Sequence, residues 1–497
     1  MGARKHRLHT HSQDAALSAD FLRRLAKVFI YLSAFAVWVV MPSTFFPYIG
    51  GKYYFFRFTV ELAAICLLTY WAFEPAAAEY LRERFRWLKR QPLFWAVSAF
   101  AAAFVLAAIF AYNPGAAFWS NYERGEGGFQ MIHYYVFFVL LLVLLDSASD
   151  WRVFFALLVV AGLGMVGYGL LANVFTGDAT SGFRNPFDFV GPYMNTNTGV
   201  PAPPGFWERI FAHRFQGSLG NPAYVAPYLL FSIFYAVWLW LTARKDWLKH
   251  ILFGAATALF LFFFIMSQTR GAFLGLIAAT FIFFLGLLIS ASVKARKVGA
   301  IGLMAILIAG GATFYFRDAQ LVKNIPGSRV LNLDFGESTA QTRFWTWGSA
   351  WQGFKERPVF GWGPENFSPV FDKYFDTRHF VPGTPTETWF DRAHSIIFDY
   401  LVETGLVGFL SYVSIFVLVG WAVFKNAIDR RRPGPIPFKT AVLVFLFAAV
   451  LVGYLVQGLI LFDVLPIYIN LFALVAFGAF LFGSSEGHNE LGIHHEP

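Results

Sequence analysis

At 497 residues the chain is long enough for three or four soluble domains of roughly 150 residues each. Yet 57% of it is hydrophobic, 20% aromatic and only 14% charged, against about 25% charged in an ordinary soluble domain, which excludes a soluble enzyme and a disordered scaffold. The single cysteine, Cys66, lies in an apolar run and excludes an intrachain disulfide and a cysteine zinc site. The formal charge of +9 does not mark a nucleic-acid protein, because the basic residues lie beside the apolar runs.

A basic stretch, Met1 to Lys27, opens the chain. Twelve apolar stretches follow, centred near Phe35, Ile65, Ala102, Phe138, Val160, Ile233, Leu259, Phe281, Leu307, Ile415, Leu446 and Leu474. Each has the roughly 20 residues that span about 30 Å of hydrocarbon, so the pattern predicts an all-α polytopic membrane protein with about 12 transmembrane helices. The first has no small-residue cleavage pattern after it and is expected to be retained. The expected organisation is a cytoplasmic segment over 1–26, a membrane domain over 27–483 and a polar, disordered cytoplasmic tail over 484–497.

Alternate connections must face opposite sides of the membrane. One set holds 23 Lys and Arg and the other 16, nine of them in one loop too long for the positive-inside rule, so the usable comparison is 23 against 7. Both termini are therefore expected to be cytoplasmic. Two outward loops are long, about 173–222 and 317–394, and long loops are where function tends to sit. The second balances nine basic residues with nine acidic ones. It contains the run Phe344 to Phe354, with Trp345, Trp347 and Trp351, which suits either an interfacial helix or a helix packed inside a small loop domain. No basic residue is expected inside a span. Of the acids only Glu61, Asp399 and Glu403 are, and Arg57 stands one turn before Glu61 as its expected ion-pair partner.

No P-loop, HExxH or CxxC occurs. Gly483, Ser485 and Gly487 match G-x-S-x-G but sit in the tail, without the strand-to-helix turn that the chemistry needs. The tail histidines His488, His494 and His495 read as solvated. The remaining polar candidates fall on the outward side. Arg214 stands in Arg214-Phe215-Gln216-Gly217-Ser218-Leu219-Gly220-Asn221-Pro222, where the first long loop ends. Arg270 stands in Ser267-Gln268-Thr269-Arg270-Gly271-Ala272, a hairpin of about four residues. Arginine is costly in hydrocarbon, about 2.5 to 3.5 kcal/mol mid-span on insertion scales, so an arginine held at the lip beside Gln and Thr donors suggests an anion; a side chain snorkelling to lipid phosphates is the plainer alternative. His394, in Asp391-Arg392-Ala393-His394, sits at a loop-to-span junction where an imidazole can take a proton near neutral pH. On an unbroken helix Asp399 and Glu403 would be turned from it by about 140° and 180°, so neither is expected to orient the ring.

Together these pieces resemble the O-antigen ligase and polymerase superfamily of bacterial membrane glycosyltransferases. The resemblance rests on Arg214 with Gly217 and Gly220-Asn221-Pro222; on Ser267 to Ala272 with Leu274-Gly275; on Arg343, Trp347, Arg357-Pro358, Gly361 and Gly363-Pro364-Glu365-Asn366-Phe367; and on His394 with Glu403-Thr404-Gly405-Leu406 and Gly408. Ser395 departs from the Asn that many relatives carry after the histidine. The resemblance implies transfer of a glycan from an undecaprenyl (polyprenyl) diphosphate carrier to an acceptor hydroxyl at the periplasmic face of the inner membrane, as in lipopolysaccharide biosynthesis. It implies a diphosphate held by Arg214, Arg270 and, more weakly, Arg343. Gln268, Asn221 and Glu403 would support, and His394 would act as general base with inversion at the anomeric carbon. It also implies no cofactor and no metal, which agrees with the lack of a carboxylate pair at ligand spacing on the outer face. The acceptor, whether glycan, lipid core or protein, is open, so ligase, polymerase and protein O-oligosaccharyltransferase all remain. Trp345, Trp347, Trp362 and Trp389 are expected to be interfacial anchors more than sugar platforms. A secondary transporter is the non-enzyme alternative, but the polar groups gather at the lip and not at midplane, where transport sites usually lie.

Overall fold

The computed structural model describes residues 21–41, 43–44, 46–120, 124–175, 214–243, 246–320, 338–380, 388–428 and 436–492. Most of the first long loop, and 321–337 and 381–387 of the second, lie outside the described residues, and so do His494 and His495. Among the described residues every regular element is helical: α1 (21–32), which tightens into a 3-10 turn Ser33–Trp38; α2 (Gly50–Phe73), α3 (Pro75–Leu88), α4 (Pro92–Ile109), α5 (Pro114–Trp119), α6 (Gly128–Leu144) and α7 (Ala148–Phe175); α8 (Pro222–Thr242), α9 (Trp247–Met266), α10 (Arg270–Ile289) and α11 (Val293–Tyr315); α12 (Ser338–Glu356) and α13 (Phe367–Lys373); and α14 (Ile396–Val423), α15 (Phe438–Gly458), α16 (Leu465–Gly483) and α17 (Ser485–Leu491). Ten of these are long and apolar enough to cross a membrane. The other two of the twelve expected spans are the 17-residue α6 and α1 with its 3-10 extension. The protein is an all-helical, polytopic integral membrane protein.

Turn chemistry punctuates the bundle. Proline at the first helical position, where no N–H is needed, opens α3, α4, α5 and α8. Asn113, Asn221, Asp246 and Ser484 cap α5, α8, α9 and α17 by accepting a backbone N–H. α16 is the axis, buried over 94% of its apolar window, whereas α11 is an edge helix buried over only 11%. Glycines bring α10 and α15 together: a Cβ on Gly275 would lie 2.5 Å from the Gly453 carbonyl oxygen, and one on Gly271 would lie 2.3 Å from Ile460. Without a hydrophobic drive between helices in lipid, such close approach supplies the attraction.

Several expectations are corrected. α1 runs from at least residue 21, and the expected segment boundary at 26 is neither met nor contradicted by that. Lys52 and Arg57 lie within α2, so that span does carry basic residues. Glu61 is not the partner of Arg57: the guanidinium donates to Gln130 Oε1 (2.6 Å) and to the Gly125 carbonyl (2.8 Å), while Glu61 pairs with His133 Nε2 at 2.9 Å. One turn of separation brought the two side chains to one face, and better acceptors across the helix interface won. The tail is ordered at least through α17, because Leu491 is fully buried and Glu490 bonds Arg152 at 2.8 Å. The aromatic run Phe344 to Phe354 forms α12, which packs as part of a loop domain. Ala350, Trp362, Phe367, Val370, Phe371, Phe390, Ala393 and Val402 make a core separate from that of the bundle. Trp362 belongs to that core. Trp347 seals it by stacking on Phe398, with ring centroids 5.3 Å apart, and by donating to the Ala393 carbonyl at 3.0 Å, so neither is an interfacial anchor.

Candidate active site at one end of the bundle

The two arginine segments form one unit. The Phe215 N–H donates to the carbonyl of Met266, the last residue of α9 (3.0 Å), Arg214 Nε to the Ser267 carbonyl (3.1 Å) and Arg214 Nη2 to Thr269 Oγ1 (3.1 Å). Thr269 Oγ1 in turn donates to the Pro222 carbonyl at 3.1 Å. Gly220 (φ 71°) holds the left-handed turn that lets this happen, and a Cβ there would lie 2.4 Å from the Tyr48 ring. Asn221 is occupied in capping α8, accepting from the Ala223 N–H at 2.8 Å. Gln268 takes a left-handed conformation (φ 48°) to close the hairpin. Arg270 is the first residue of α10, one step further into the helix than the hairpin reading placed it. Arg214 is exposed and Arg270 half-buried.

The second half of the site is built where α14 breaks. Gly405 (φ 63°) interrupts the helix, and the carbonyls this frees are taken up by a loop. Trp362 N–H donates to the Val402 carbonyl (2.8 Å) and Gly363 N–H to the Glu403 carbonyl (2.9 Å), while Leu406 N–H returns a bond to the Pro358 carbonyl (2.8 Å). Backbone meets backbone so closely that a Cβ on Gly361 or Gly405 would lie within 2.6 Å of main-chain atoms. This close approach is why positions 361 and 405 carry glycine.

That clamp brings Glu365 and Glu403 to a buried guanidinium. Arg392 Nη1 donates to Glu403 Oε1 and Oε2 (3.2 and 3.3 Å), and its Nη2 donates to Glu126 Oε2 (2.8 Å) and to Glu365. All four side chains are at most 9% exposed. Tyr53 donates to the other oxygen of Glu126, and Arg124 pairs with Asp391 beside the cluster. Burial works against the charge on Arg392, but Glu365, Glu403 and Glu126 overcome it and raise its pKa further. Glu126 responds in the opposite sense to its burial, which pushes its carboxyl up to about 7. Carboxylates therefore do converge at this end, although no pair stands at ligand spacing along the chain: they come from three separate segments. Among the described residues no trio of His, Cys, Asp or Glu is grouped as a metal site.

His394 follows directly. Its φ of 56° places a non-glycine residue in the left-handed region. Its Nδ1 lies 3.1 Å from the Arg392 carbonyl oxygen, which can only accept, so Nδ1 carries the proton and Nε2 keeps its lone pair. Phe390 and Phe462 bracket the ring at 5.4 and 5.1 Å. Burial lowers its pKa; the carbonyl contact works against this, and Arg343 adds to the lowering. Asp399 and Glu403 do not touch the imidazole: Asp399 Oδ1 accepts from the Ala393 N–H (2.7 Å) and Glu403 serves Arg392.

The segment 459–464, after α15, joins the two halves. Ile460 packs on Gly271, next to Arg270. The Phe462 ring meets His394, Tyr224 in the first turn of α8 (6.0 Å) and the Arg392 guanidinium (5.8 Å). Asp463 beside it is buried, which pushes it up to about 7, and accepts from Tyr454 at 2.5 Å. Arg214, Arg270, Arg343 and His394 thus belong to elements that meet at one end of the bundle.

Arg392, Glu126 and Arg124 were not singled out as site residues from the sequence, and Glu365 entered only as part of the Gly363 to Phe367 motif, without a role. For the other three the signal was polar density, Arg124-Gly125-Glu126 in a short connection and Asp391-Arg392 before the histidine, and it carries no pairing information. Residues 255–413 match the family model described as O-Antigen ligase, a segment that contains Arg270, Arg343, Arg392, His394 and Glu403 but not Arg214 or Glu126. No curated protein matches the chain. With the membrane bundle, that match supports the resemblance to the O-antigen ligase and polymerase superfamily, a glycosyltransferase-like family of the bacterial inner membrane, over about a third of the chain.

Proposed function

We propose that the protein transfers a glycan from a polyprenyl diphosphate carrier, undecaprenyl diphosphate in a bacterium, to an acceptor hydroxyl at the periplasmic mouth of this bundle. The observation that carries the reading is His394. Its ring is held in one tautomer by a backbone carbonyl, with the free nitrogen available as a base, at the end of the molecule where arginines gather. His394 Nε2 takes the acceptor proton as the acceptor oxygen attacks the anomeric carbon from the face opposite the diphosphate, giving inversion. Negative charge grows on the bridging phosphate oxygen as that bond breaks, and the guanidinium groups of Arg214, Arg270 and Arg343 stabilise it. The 23-to-7 bias of basic residues supports an outward-facing site with both termini cytoplasmic. Ligase, polymerase and protein-glycosylating activities share this donor half and differ in the acceptor.

The test is transfer from a synthetic polyprenyl diphosphate glycan by purified protein, with and without EDTA, across lipid-core, glycan and peptide acceptors. Transfer is expected to survive EDTA and to fall about 10²-fold or more in His394→Ala, the usual worth of a general base. Transfer at the wild-type rate in His394→Ala would end the base assignment. Solute flux in proteoliposomes that is lost on midspan substitutions, with no glycan transfer, would point to a transporter.

A further inference from the structure

Among the described residues every hydrogen bond of the Arg392 side chain goes to a carboxylate, and its own carbonyl fixes the proton of His394. The neighbouring backbone is held as tightly: Ala393 N–H donates to Asp399 (2.7 Å) and the Ala393 carbonyl accepts from Trp347 (3.0 Å). Two consecutive residues, Arg392 and Ala393, are therefore anchored to the connection before α6, the loop before α13, helix α12 and helix α14. The residue that emerges from these anchors, His394, stands in a left-handed conformation that an L side chain rarely adopts. A strained backbone persists only where its surroundings over-determine it. A buried guanidinium among three carboxylates is a poor source of stability, since desolvation of the charges offsets most of their attraction. It is a good source of geometry, because a planar fork meets several carboxylates in fixed directions.

We infer that Arg392, held by Glu126, Glu365 and Glu403, is the positioning residue of the base: it fixes the backbone from which His394 projects and the tautomer in which it acts. Arg392 does not touch substrate, and it acts only through the ring. The inference rests on His394 being the base. Groups that face the pair are Arg343 from α12, Arg124 from the connection before α6, Asp391 from the segment itself and Asp399 from the first turn of α14.

The test compares Arg392→Lys, which keeps the charge and loses the fork, and Glu403→Gln, which keeps the size and loses the charge, in detergent-purified, monodisperse full-length protein. Rates are taken per folded molecule. In both variants kcat is expected to fall 10-fold or more while KM for a polyprenyl diphosphate glycan stays within 2-fold, with the larger loss in Arg392→Lys. In a His394→Ala background the residual rate should drop no more than 2-fold on adding Arg392→Lys, because a residue acting through another has nothing left to lose. Folded Arg392→Lys at the wild-type kcat, a loss that appears in KM alone, or an equal fold-loss with and without His394 would each overturn the inference. A silent His394→Ala would instead overturn the base assignment on which it rests, so the two failures are separable.

Discussion

Helix α6 begins two residues after one buried acid, Glu126, and ends two residues before another charged site, Asp146, and its two ends use charge in opposite ways. At the Asp146 end each acid meets bases at ordinary stoichiometry. Lys27 bonds Asp150 at 2.9 Å and lies 3.7 Å from Asp146, Arg23 lies 3.9 Å from Asp146, and Arg152 meets Glu490 at 2.8 Å, with side chains between 11% and 41% exposed. At the Glu126 end one guanidinium serves three carboxylates and none of the four side chains exceeds 9% exposure. Part-exposed pairs of the first kind are worth about 0 to 1 kcal/mol, and they seat helices against one another. The second arrangement costs desolvation that apolar side chains would avoid, so its presence marks a demand for geometry and not for stability. The difference separates the end that closes the fold from the end at which we propose the chemistry.

The sharpest way to break this comparison is to remove one arginine from each end. Arg214→Ala and Arg270→Ala are each expected to slow glycan transfer at least 10-fold, since a charge-assisted hydrogen bond is worth about 1.5 to 3 kcal/mol and each 1.4 kcal/mol is a factor of ten in rate. Arg152→Ala, at the other end, should leave the rate within 2-fold. Equal losses in a single-turnover assay would show that the two ends do not divide function from structure.

A second contrast is in how stability depends on pH. Burial raises the Glu126 carboxyl from 4.5 to about 7 in the folded protein, so between those values the folded state binds more proton than the unfolded one and the contribution of this group to stability declines as pH rises. Glu126→Gln cannot titrate. Its melting temperature relative to wild type should therefore climb from about pH 4.5 to about pH 7 and level off above that. A flat difference for Glu126→Gln in detergent thermal scans would remove the buried-acid account.

The bundle was legible in the sequence because lipid leaves little choice: a run of about 20 apolar residues must satisfy its own backbone, so it must be a helix. The glycine punctuation around the candidate site was legible too. Gly220, Gly361 and Gly405 stand where the backbone turns left-handed or nearly touches another segment, and these positions punctuate the sequence visibly. What was hidden is pairing. Arg57 and Glu61 stand one turn apart and still choose Gln130 and His133, and the partners of Arg392 come from positions 126, 365 and 403, which no local spacing connects. α17 escaped as well, because a short polar helix held by one buried leucine has no periodic signal.

A smaller effect is expected in the acid limb of the pH–rate profile. His394 must be neutral to accept a proton, and its lowered pKa sets the limb below that of an ordinary histidine. Arg343 contributes to that lowering and Asp391 opposes it. Arg343→Met should therefore move the limb to higher pH and Asp391→Asn to lower pH, measured as kcat/KM against pH. Shifts of the same sign in the two variants would mean that neither charge acts on the imidazole.

The smallest effect should come from Lys27. Its bond to Asp150 is part-exposed, shared with Tyr31 and Ser147, and lies across the bundle from His394. Removing it in Lys27→Ala leaves Asp150 with hydroxyl partners and with solvent, so no uncompensated buried charge results. At about 1 kcal/mol or less, in a chain this long, the melting temperature should fall by no more than about 2 °C and the transfer rate should be unchanged within 2-fold. Asp150→Asn should behave the same way, and the double variant should lose less than the sum of the two single losses, because the two substitutions share the Lys27–Asp150 bond. A rate loss in any of the three would mean that the seat of α1 is coupled to the opposite end through α2, the helix that packs against both the 3-10 turn after α1 and α6 and whose Tyr53 reaches Glu126. Substituting Tyr53→Phe in the Lys27→Ala background would then locate the coupling: a shared path predicts a combined loss smaller than the product of the two, and independent paths predict the full product.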